Sequence, residues 1–292
     1  VYVGSVIDEL ERFAPALHIQ LVGIGPRTSF QAKNRRSRSR SVNQAKSVPF
    51  AEIARYAPWR SVFPSLGVWR RRRTIRRDLL RSVAIRSAAT VRQCDLWPIL
   101  RDALAGAALL QLPWAARAMD EIGAALDVLQ PRVAVTYAEA GSWGRALVLE
   151  ARRRGIPVLG IQHGFIYRHW LNYQHEPDEM EPSRENPADT GFPRPDRTLV
   201  FDKYAAEYLQ KAGNFPKSSL TVVGSPTRDA LVSAIHKLSP EIIAATRAAI
   251  GASPNQQVVL VTTKYSEIQS EFQRLVNAVA ALPNVYAVIK CH

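Results

Sequence analysis

The chain has 292 residues, of which 47% are hydrophobic and 22% charged, and 39 Lys and Arg against 25 Asp and Glu give it a formal net charge of +14. That length holds two α/β domains or one large one, and the apolar content excludes wholesale disorder. The two cysteines, Cys94 and Cys291, lie far apart in sequence, which excludes a cysteine-based zinc site, argues against a disulfide framework and fits a reducing compartment.

Taken in chain order, residues 1–3 and 17–23 are expected as the first strands, with a short helix between them. The turn Gly23-Ile24-Gly25-Pro26 is glycine-rich but lacks the rest of a dinucleotide fingerprint. Residues 28–47 are polar and basic, a predicted loop carrying Arg35, Arg36, Arg38 and Arg40. Residues 51–129 are expected to be helical, punctuated by Pro58, Pro64, Pro98 and Pro113, with alanine- and leucine-rich helices over 103–112 and 115–129 suited to packing on a sheet. The longest apolar stretch, 103–114, is broken by Gln111 and Pro113 and is too short to span a membrane.

A second basic cluster, Arg70, Arg71, Arg72, Arg73, Arg76 and Arg77, falls within this helical region. Clusters of this kind either form a solvated face or bind an anionic surface. The Arg–Ser run lacks interleaved aromatics for base stacking, so no nucleic acid is expected. Val68-Trp69 before the second cluster and Leu79-Leu80 after it suit an amphipathic helix resting on lipid headgroups, peripheral on the inner face of the plasma membrane.

The most informative stretch is 133–165. A β-branched run over 133–137 stops at Ala138-Glu139. Residues 143–154 have helical spacing, with Trp143, Ala146, Leu147 and Ala151 on one face, a basic last turn, and Gly155 and Pro157 as stop signals. A second apolar run, 158–161, ends at Gln162-His163-Gly164. Two apolar strands joined by such a helix predict a βαβ unit with parallel strands. Glu139 and His163 then sit just past the carboxyl ends of neighbouring strands, the edge where open α/β sheets bind ligands. Glu139 suits either acid–base chemistry or a place near the helix N-terminus as a cap. His163 suits either a site role or a hydrogen bond that fixes the turn. Gln162 and Gly164 read as shaping residues, the glycine allowing a positive φ or a close ligand approach. Arg145, early in the helix, reaches an anionic substrate or only solvent. His163, His169 and His175 have no common zinc spacing, so no metal is expected. Ser142 in Ala-Gly-Ser-Trp-Gly fails the nucleophile-elbow pattern, which makes a hydrolase a poor reading.

Residues 167–194 contain four prolines and the acidic residues Glu176, Asp178, Glu179 and Glu181, which reads as a functional loop or lid rather than core. Strand 197–201, helix 202–211 and strand 220–223 follow, the last ending in Gly224-Ser225-Pro226 with a helix from about Thr227. Pro240 opens another helix, and strand 257–263, helix 267–282 and strand 285–290 make a second βαβ unit. The expected fold is α/β: two Rossmann-like parallel-sheet domains facing a cleft. Residues 1–223 form the first, with a basic helical insertion over about 28–130, and 224–292 begin a second, incomplete one. The chain opens in mid-pattern and stops directly after a strand-like run, which reads as a segment lacking sequence at both ends.

The Gln162-His163-Gly164 turn, the segment 195–213 (PDRTLVFDKYAAEYLQKAG), the turn within LTVVGSPTRDAL and the terminal VIKCH occur together and in order. In these features the chain resembles GT-B-fold enzymes of bacterial surface-polysaccharide synthesis: capsule polysaccharide transferases, polysialyltransferase-like proteins and CDP-glycerol glycerophosphotransferases. The resemblance covers about 133–292. It implies a metal-independent glycosyltransferase that moves a sugar from a nucleotide-activated donor to a polysaccharide or lipid-linked acceptor and needs no further cofactor. By this resemblance Glu139 is the base, His163 lies by the reaction centre, and Gly224, Ser225 and Pro226 begin the donor side. Lys290 and His292 match a Lys-Pro-His-Pro-like segment near donor phosphates, with Cys291 in place of the first proline. Thr262, Thr263 and Lys264, at a strand end, are natural phosphate partners, and helices starting near Ser225–Thr227 and Ser266 offer free N–H groups. The competing readings are CDP-glycerol-type glycerophosphotransfer, UDP-sugar 2-epimerisation on the same two-domain plan, and a non-catalytic scaffold of polysaccharide export.

Overall fold

The computed structural model describes residues 2–25, 48–137, 139–168, 170–183, 190–263 and 269–291. Pro26, the run with Arg35, Arg36, Arg38 and Arg40, and Ala138, His169, Lys264, Ser266 and His292 lie outside the described residues. The chain divides into two compact units, 1–226 and 227–292.

The first unit opens with helix α1 (Tyr2–Phe13), not the expected strand. Val3, Val6, Ile7 and Leu10 recur at the three- and four-residue spacing of a helix, and Ile7 is buried, so periodicity outweighs the local β propensity of Val1 and Val3. Strand β1 (Leu21–Gly23) pairs in parallel with β2 (Phe50–Glu52). Helix α2 (Phe63–Arg81) carries Pro64 in its first turn, where a missing N–H costs nothing. Ser82 ends it and caps α3 (Val83–Ala88), its hydroxyl accepting from Ile85 N–H. A hairpin that the sequence reading missed, β3 (Thr90–Val91) with β4 (Cys94–Asp95), turns on Arg92 and Gln93 at φ of 50° and 67°. The expected helices over 103–112 and 115–129 are continuous. Helix α4 (Trp97–Gly106) passes through a π turn (Ala107–Gln111) into α5 (Leu112–Leu129). Pro113 lacks an N–H and crowds the carbonyl four residues back, and the widened π turn accommodates both.

Strands β5 (Ala134–Thr136), β6 (Val158–Ile161), β7 (Arg197–Val200) and β8 (Leu220–Val222) form one four-stranded sheet in that order, every pair parallel. Helix α6 (Ser142–Arg153) joins β5 to β6, and α8 (Lys203–Ala212) joins β7 to β8. Asp202 caps α8 through a carboxylate that accepts from Ala205 N–H. One core cluster combines Ile122, Ala125 and Leu126 of α5, Ala146, Val148 and Ala151 of α6, and Ala134 and Val158 of the sheet. Arg154 ties the two helices together, bonding Asp127 after α5's buried face and Glu150 of α6.

The other core cluster anchors part of the segment 167–194, the stretch expected as a functional loop or lid. Ile166, Tyr173, Met180 and the half-buried Trp170 and Phe192 pack with Val200, Ala205, Leu209 and Phe215. The loop contains a short helix, α7 (Pro177–Met180), anchored by the buried Met180, with Glu176 and Glu179 forming a capping box at its start. Tyr173 and Met180 are buried, whereas Leu171, Asn172 and residues 176–179 are exposed.

The second unit holds α9 (Pro226–His236), α10 (Pro240–Ala249), β9 (Gln257–Thr263), α11 (Phe272–Ala280) and β10 (Val285–Cys291). Ser239 caps α10 with Pro240 in the first turn. Strands β9 and β10 are parallel, in register from Gln257 opposite Val285 to Thr263 opposite Cys291. Parallel sheets with helical crossovers make the chain α/β, the class expected. Among the described residues no helix is long and apolar enough to cross a membrane.

The closest backbone approach in the second core cluster is at Gly213, where an added Cβ would lie 2.5 Å from the Tyr173 carbonyl oxygen and 2.8 Å from that of Leu209. Backbone oxygens do not rotate away. Gly213→Ala is therefore expected to cost about 1–3 kcal/mol of stability in urea denaturation. An unchanged midpoint would mean that the loop is not held against α8.

Candidate functional site

Strand β5 ends at Thr136 and β6 at Ile161, and the chain then delivers Glu139 and His163 beyond the carboxyl ends of these adjacent strands. The Glu139 side chain is only 4% exposed. It lies over Gly160, where an added Cβ would stand 3.5 Å from the carboxyl carbon and 2.9 Å from Pro195 Cγ. Thr136, Gly160 and Thr198 are in register across β5, β6 and β7, so the glycine is a gap in a row whose flanking threonines are buried.

Tyr173 supplies one partner for the carboxyl, its hydroxyl donating to Glu139 Oε1 at 2.8 Å. Glu139 Oε2 is buried with no hydrogen-bond partner among the described residues. Loss of water raises the proton affinity of this carboxyl above that of an ordinary glutamate. Its own backbone N–H, the Tyr173 hydroxyl and the charge of His163 pull the other way without cancelling the effect. Burial and the Glu139 charge push the Tyr173 hydroxyl far up, so it remains a donor throughout the physiological range. Glu139 does not cap α6: that helix begins at Ser142, with Gly141 at its cap position.

His163 stands between Tyr137 and Trp170, with ring centroids 5.7 Å and 6.0 Å away. Its Nδ1 is a second buried atom with no partner among the described residues. Gln162 is a clip: its Nε2 donates to the Gly164 carbonyl at 2.8 Å and its Oε1 accepts from Phe201 N–H at 2.7 Å, which ties the ends of β6 and β7 together. Gly164 does not have the positive φ considered from sequence, and a Cβ there would meet Trp170 at an ordinary 3.8 Å.

Arg145, in the first turn of α6, flanks the loop that holds Tyr173. Its Nη2 donates to the Asn172 carbonyl at 3.0 Å and its guanidinium lies 4.6 Å from the Phe192 ring centroid. Its Nε is buried without a partner among the described residues, and burial lowers its proton affinity against the pull of Tyr173 and Glu179. The His175 ring lies tilted against Phe192, with centroids 3.7 Å apart, and its Nδ1 faces Glu179 Oε2 at 3.5 Å. Desolvation and Arg145 lower its proton affinity, which favours the neutral ring. His163 and His175 belong to no metal-ligand group among the described residues.

The structure thus brings Glu139, His163, Gln162 and Gly164 to one sheet edge, with Arg145 beside the loop that braces them. Gly224 (φ 78°), buried Ser225 and Pro226 lie beyond β8 at the far side of the same sheet. Thr263 and Lys290 belong to the second unit, where Lys290 is exposed and opposite Thr262, and Thr263 opposite Cys291, at the carboxyl end of the β9–β10 pair. Sequence reasoning missed Tyr173 and Gly160. The only signal for Tyr173 was an aromatic in an aperiodic loop, and Gly160 looked like an ordinary small residue in a buried strand.

Because folding raises the proton affinity of Glu139, its stabilising contribution is complete below the ordinary glutamate value of about 4.3 and is lost as pH rises through the folded value. Glu139→Gln is expected to lack this loss in thermal denaturation at a series of pH values. Tyr173→Phe removes a bond that favours the carboxylate, so Glu139 should titrate higher in carboxyl 13C NMR, at a cost of about 1 kcal/mol. A lower titration point in that variant would show that the hydroxyl does not serve the carboxylate.

No family model and no curated protein matches the sequence. Solved structures do. The chain is 18% identical to a UDP-GlcNAc 2-epimerase from Neisseria meningitidis bound to UDP-GlcNAc, with a TM-score of 0.41 over 62% of this chain and 47% of that one. A UDP-N-acetylglucosamine 2-epimerase from Rickettsia bellii is 16% identical, with a TM-score of 0.37 over 60% and 44%. For S. aureus MnaA with UDP the values are 13% identity and a TM-score of 0.40 over 61% and 45%. The chain spans less than half the length of each of these neighbours.

Proposed function

We propose that the chain is the acid–base half of an enzyme acting on a nucleotide-activated sugar, with Glu139 and His163 as its proton-transfer pair. One observation carries this reading: Glu139 Oε2 and His163 Nδ1 are both buried and without a partner among the described residues, past the ends of adjacent parallel strands. An unsatisfied buried polar atom is costly, and a pair of them beside a titratable carboxyl is a common mark of a group kept for a substrate. A carboxyl whose proton affinity is raised toward neutral pH is also better matched to accept and return a proton in turnover.

In the transfer reading, Glu139 takes the proton of an acceptor hydroxyl as its oxygen attacks the anomeric carbon, and the nucleoside diphosphate departs with the bonding electron pair. His163 then stands where it can hydrogen-bond the sugar or the departing phosphate. The acceptor is a surface polysaccharide or a lipid-linked sugar, as the sequence resemblance implies. By the sequence resemblance, Gly224, Ser225 and Pro226 of the first unit and, separately, Thr263, Lys264, Lys290 and His292 of the second are the candidates for contact with donor phosphates. Backbone N–H groups at the start of α9 and cationic side chains offset the charge of the leaving group.

The enclosure of Glu139 favours a second reading. A carboxyl 4% exposed suits a reaction confined to one small substrate better than one that must admit a polymer hydroxyl. Inversion at C2 of a UDP-sugar is such a reaction: a proton leaves carbon on one face and returns on the other, so it needs the same acid–base pair. The substrate class named for the solved neighbours makes UDP-GlcNAc the donor to try first.

Calorimetry of the full-length gene product with UDP, CDP, CMP and GDP tests the common premise. One preferred nucleotide is expected; CDP would point to glycerophosphotransfer, and no binding by folded protein would leave the scaffold reading. Incubation with UDP-GlcNAc alone in D2O separates the two reactions, because only epimerisation places deuterium at C2 without an acceptor. Glu139→Gln and His163→Ala are each expected to lower turnover about 10²–10⁴-fold with the fold intact. Full activity in either variant would remove that residue from the chemistry.

A further inference from the structure

Helix α2 presents a surface that the site chemistry does not use. Phe63, Leu66, Arg70, Arg73, Arg77 and Arg81 recur every three or four residues, fall on one stripe of the helix, and are all exposed. The adjoining side of the helix faces the protein: Ser65 is buried and Trp69 meets Trp114 of α5 edge-on at 5.6 Å. Arg72 lies over the Trp69 ring at 5.5 Å and so belongs to that inner side. The arrangement differs from the sequence expectation, in which Trp69 was to rest on headgroups. The exposed apolar groups are instead Phe63 and Leu66, with Trp59 in the preceding turn, 57% exposed at Phe63 and 69% at Trp59.

The stripe runs about 28 Å along the 19-residue helix at 1.5 Å per residue. Among the described residues Arg77 pairs with Asp78 at 3.3 Å, and Asp78 is itself well exposed. Four guanidinium groups in line, with an aromatic and aliphatic end, match a flat anionic surface with an apolar layer beneath it. A nucleic acid fits less well. No aromatic is interleaved among Arg70, Arg73, Arg77 and Arg81 on this face, and the half-buried Trp69 packs edge-on against Trp114.

We propose that the outer stripe of α2 docks the protein onto an anionic phospholipid surface, with Arg70, Arg73, Arg77 and Arg81 on the phosphates and Phe63 and Leu66 at the acyl boundary. Docking is independent of the reaction assigned above, since none of these residues belongs to the Glu139 site. The attraction is electrostatic in its larger part, so it weakens as salt rises.

The test is co-sedimentation of the full chain with phosphatidylglycerol–phosphatidylcholine vesicles and with phosphatidylcholine vesicles alone. Binding only to the first, weakened by salt, is expected. Joint replacement R70Q, R73Q, R77Q and R81Q should lower partitioning at least about a hundredfold while leaving the circular dichroism spectrum and Tm unchanged. Phe63→Ser with Leu66→Ser should lower it several-fold. A parallel variant, R35Q, R36Q, R38Q and R40Q, separates the two basic clusters. Equal binding to both vesicle types overturns the proposal. So does undiminished binding by the folded α2 variant, loss confined to the Arg35–Arg40 variant, or tighter binding to single-stranded RNA than to the anionic vesicles.

Discussion

The residue on which the site geometry rests is one without a side chain. Gly160 lies in an inner strand of the four-stranded sheet, between Thr136 and Thr198. Over the space it leaves sit Pro195, which leads into β7, and the carboxyl of Glu139. Any Cβ there would press on a proline ring that has no rotamer to yield, and through it on the entry to the next strand. The gap does two things at once: it lets the chain close tightly onto β7, and it lets a carboxylate that belongs in water lie down on the sheet. Packing and chemistry here share one missing methyl group.

The cost of laying that carboxylate down explains the rest of the arrangement. A buried carboxyl favours its protonated form, and groups that stabilise the charge oppose that rise in proton affinity. Tyr173 is the strongest of the side-chain groups that do so, and it comes from the loop most distant in character from a regular element. That loop is therefore fixed by packing: Tyr173, Ile166 and Met180 are buried against Leu209 and Phe215. Its local capping box and the bond from Asn214 to the His175 carbonyl hold the same segment from its other side.

How much of this was legible follows from the range of each interaction. The β5–α6–β6 unit, the start of α10 at Pro240 and the β9–β10 pair were readable because periodicity, caps and proline act within a few residues. The polar ends of β5 and β6 stood out for the same reason, since a core alone does not call for Glu139 or His163 there. Tyr173 bonds Glu139 across 34 residues of sequence, and nothing local marks a tyrosine for that task. Only the start of helix α1 departs from the expected strand over residues 1–3: two valines there have strand propensity, while the spacing through Leu10 that decides the matter needs a longer window. Trp69 was assigned to a membrane face on composition, but its partner Trp114 lies on another helix.

The loop's burial also couples the site to the core. Leu209 on α8 and Tyr173 belong to one buried cluster, and a Cβ at Gly213 would press on the Tyr173 carbonyl. A truncation at Leu209 opens a cavity under the phenol rather than at the carboxyl, yet a shift of even a few tenths of an ångström there lengthens the bond to Glu139 Oε1. Charge-assisted hydrogen bonds weaken steeply with distance and angle, so the proton affinity of Glu139 should rise in step with loosening of a core residue that never touches it. The second core cluster in this sense bears on the proton affinity of Glu139, and α8 acts on it through packing alone.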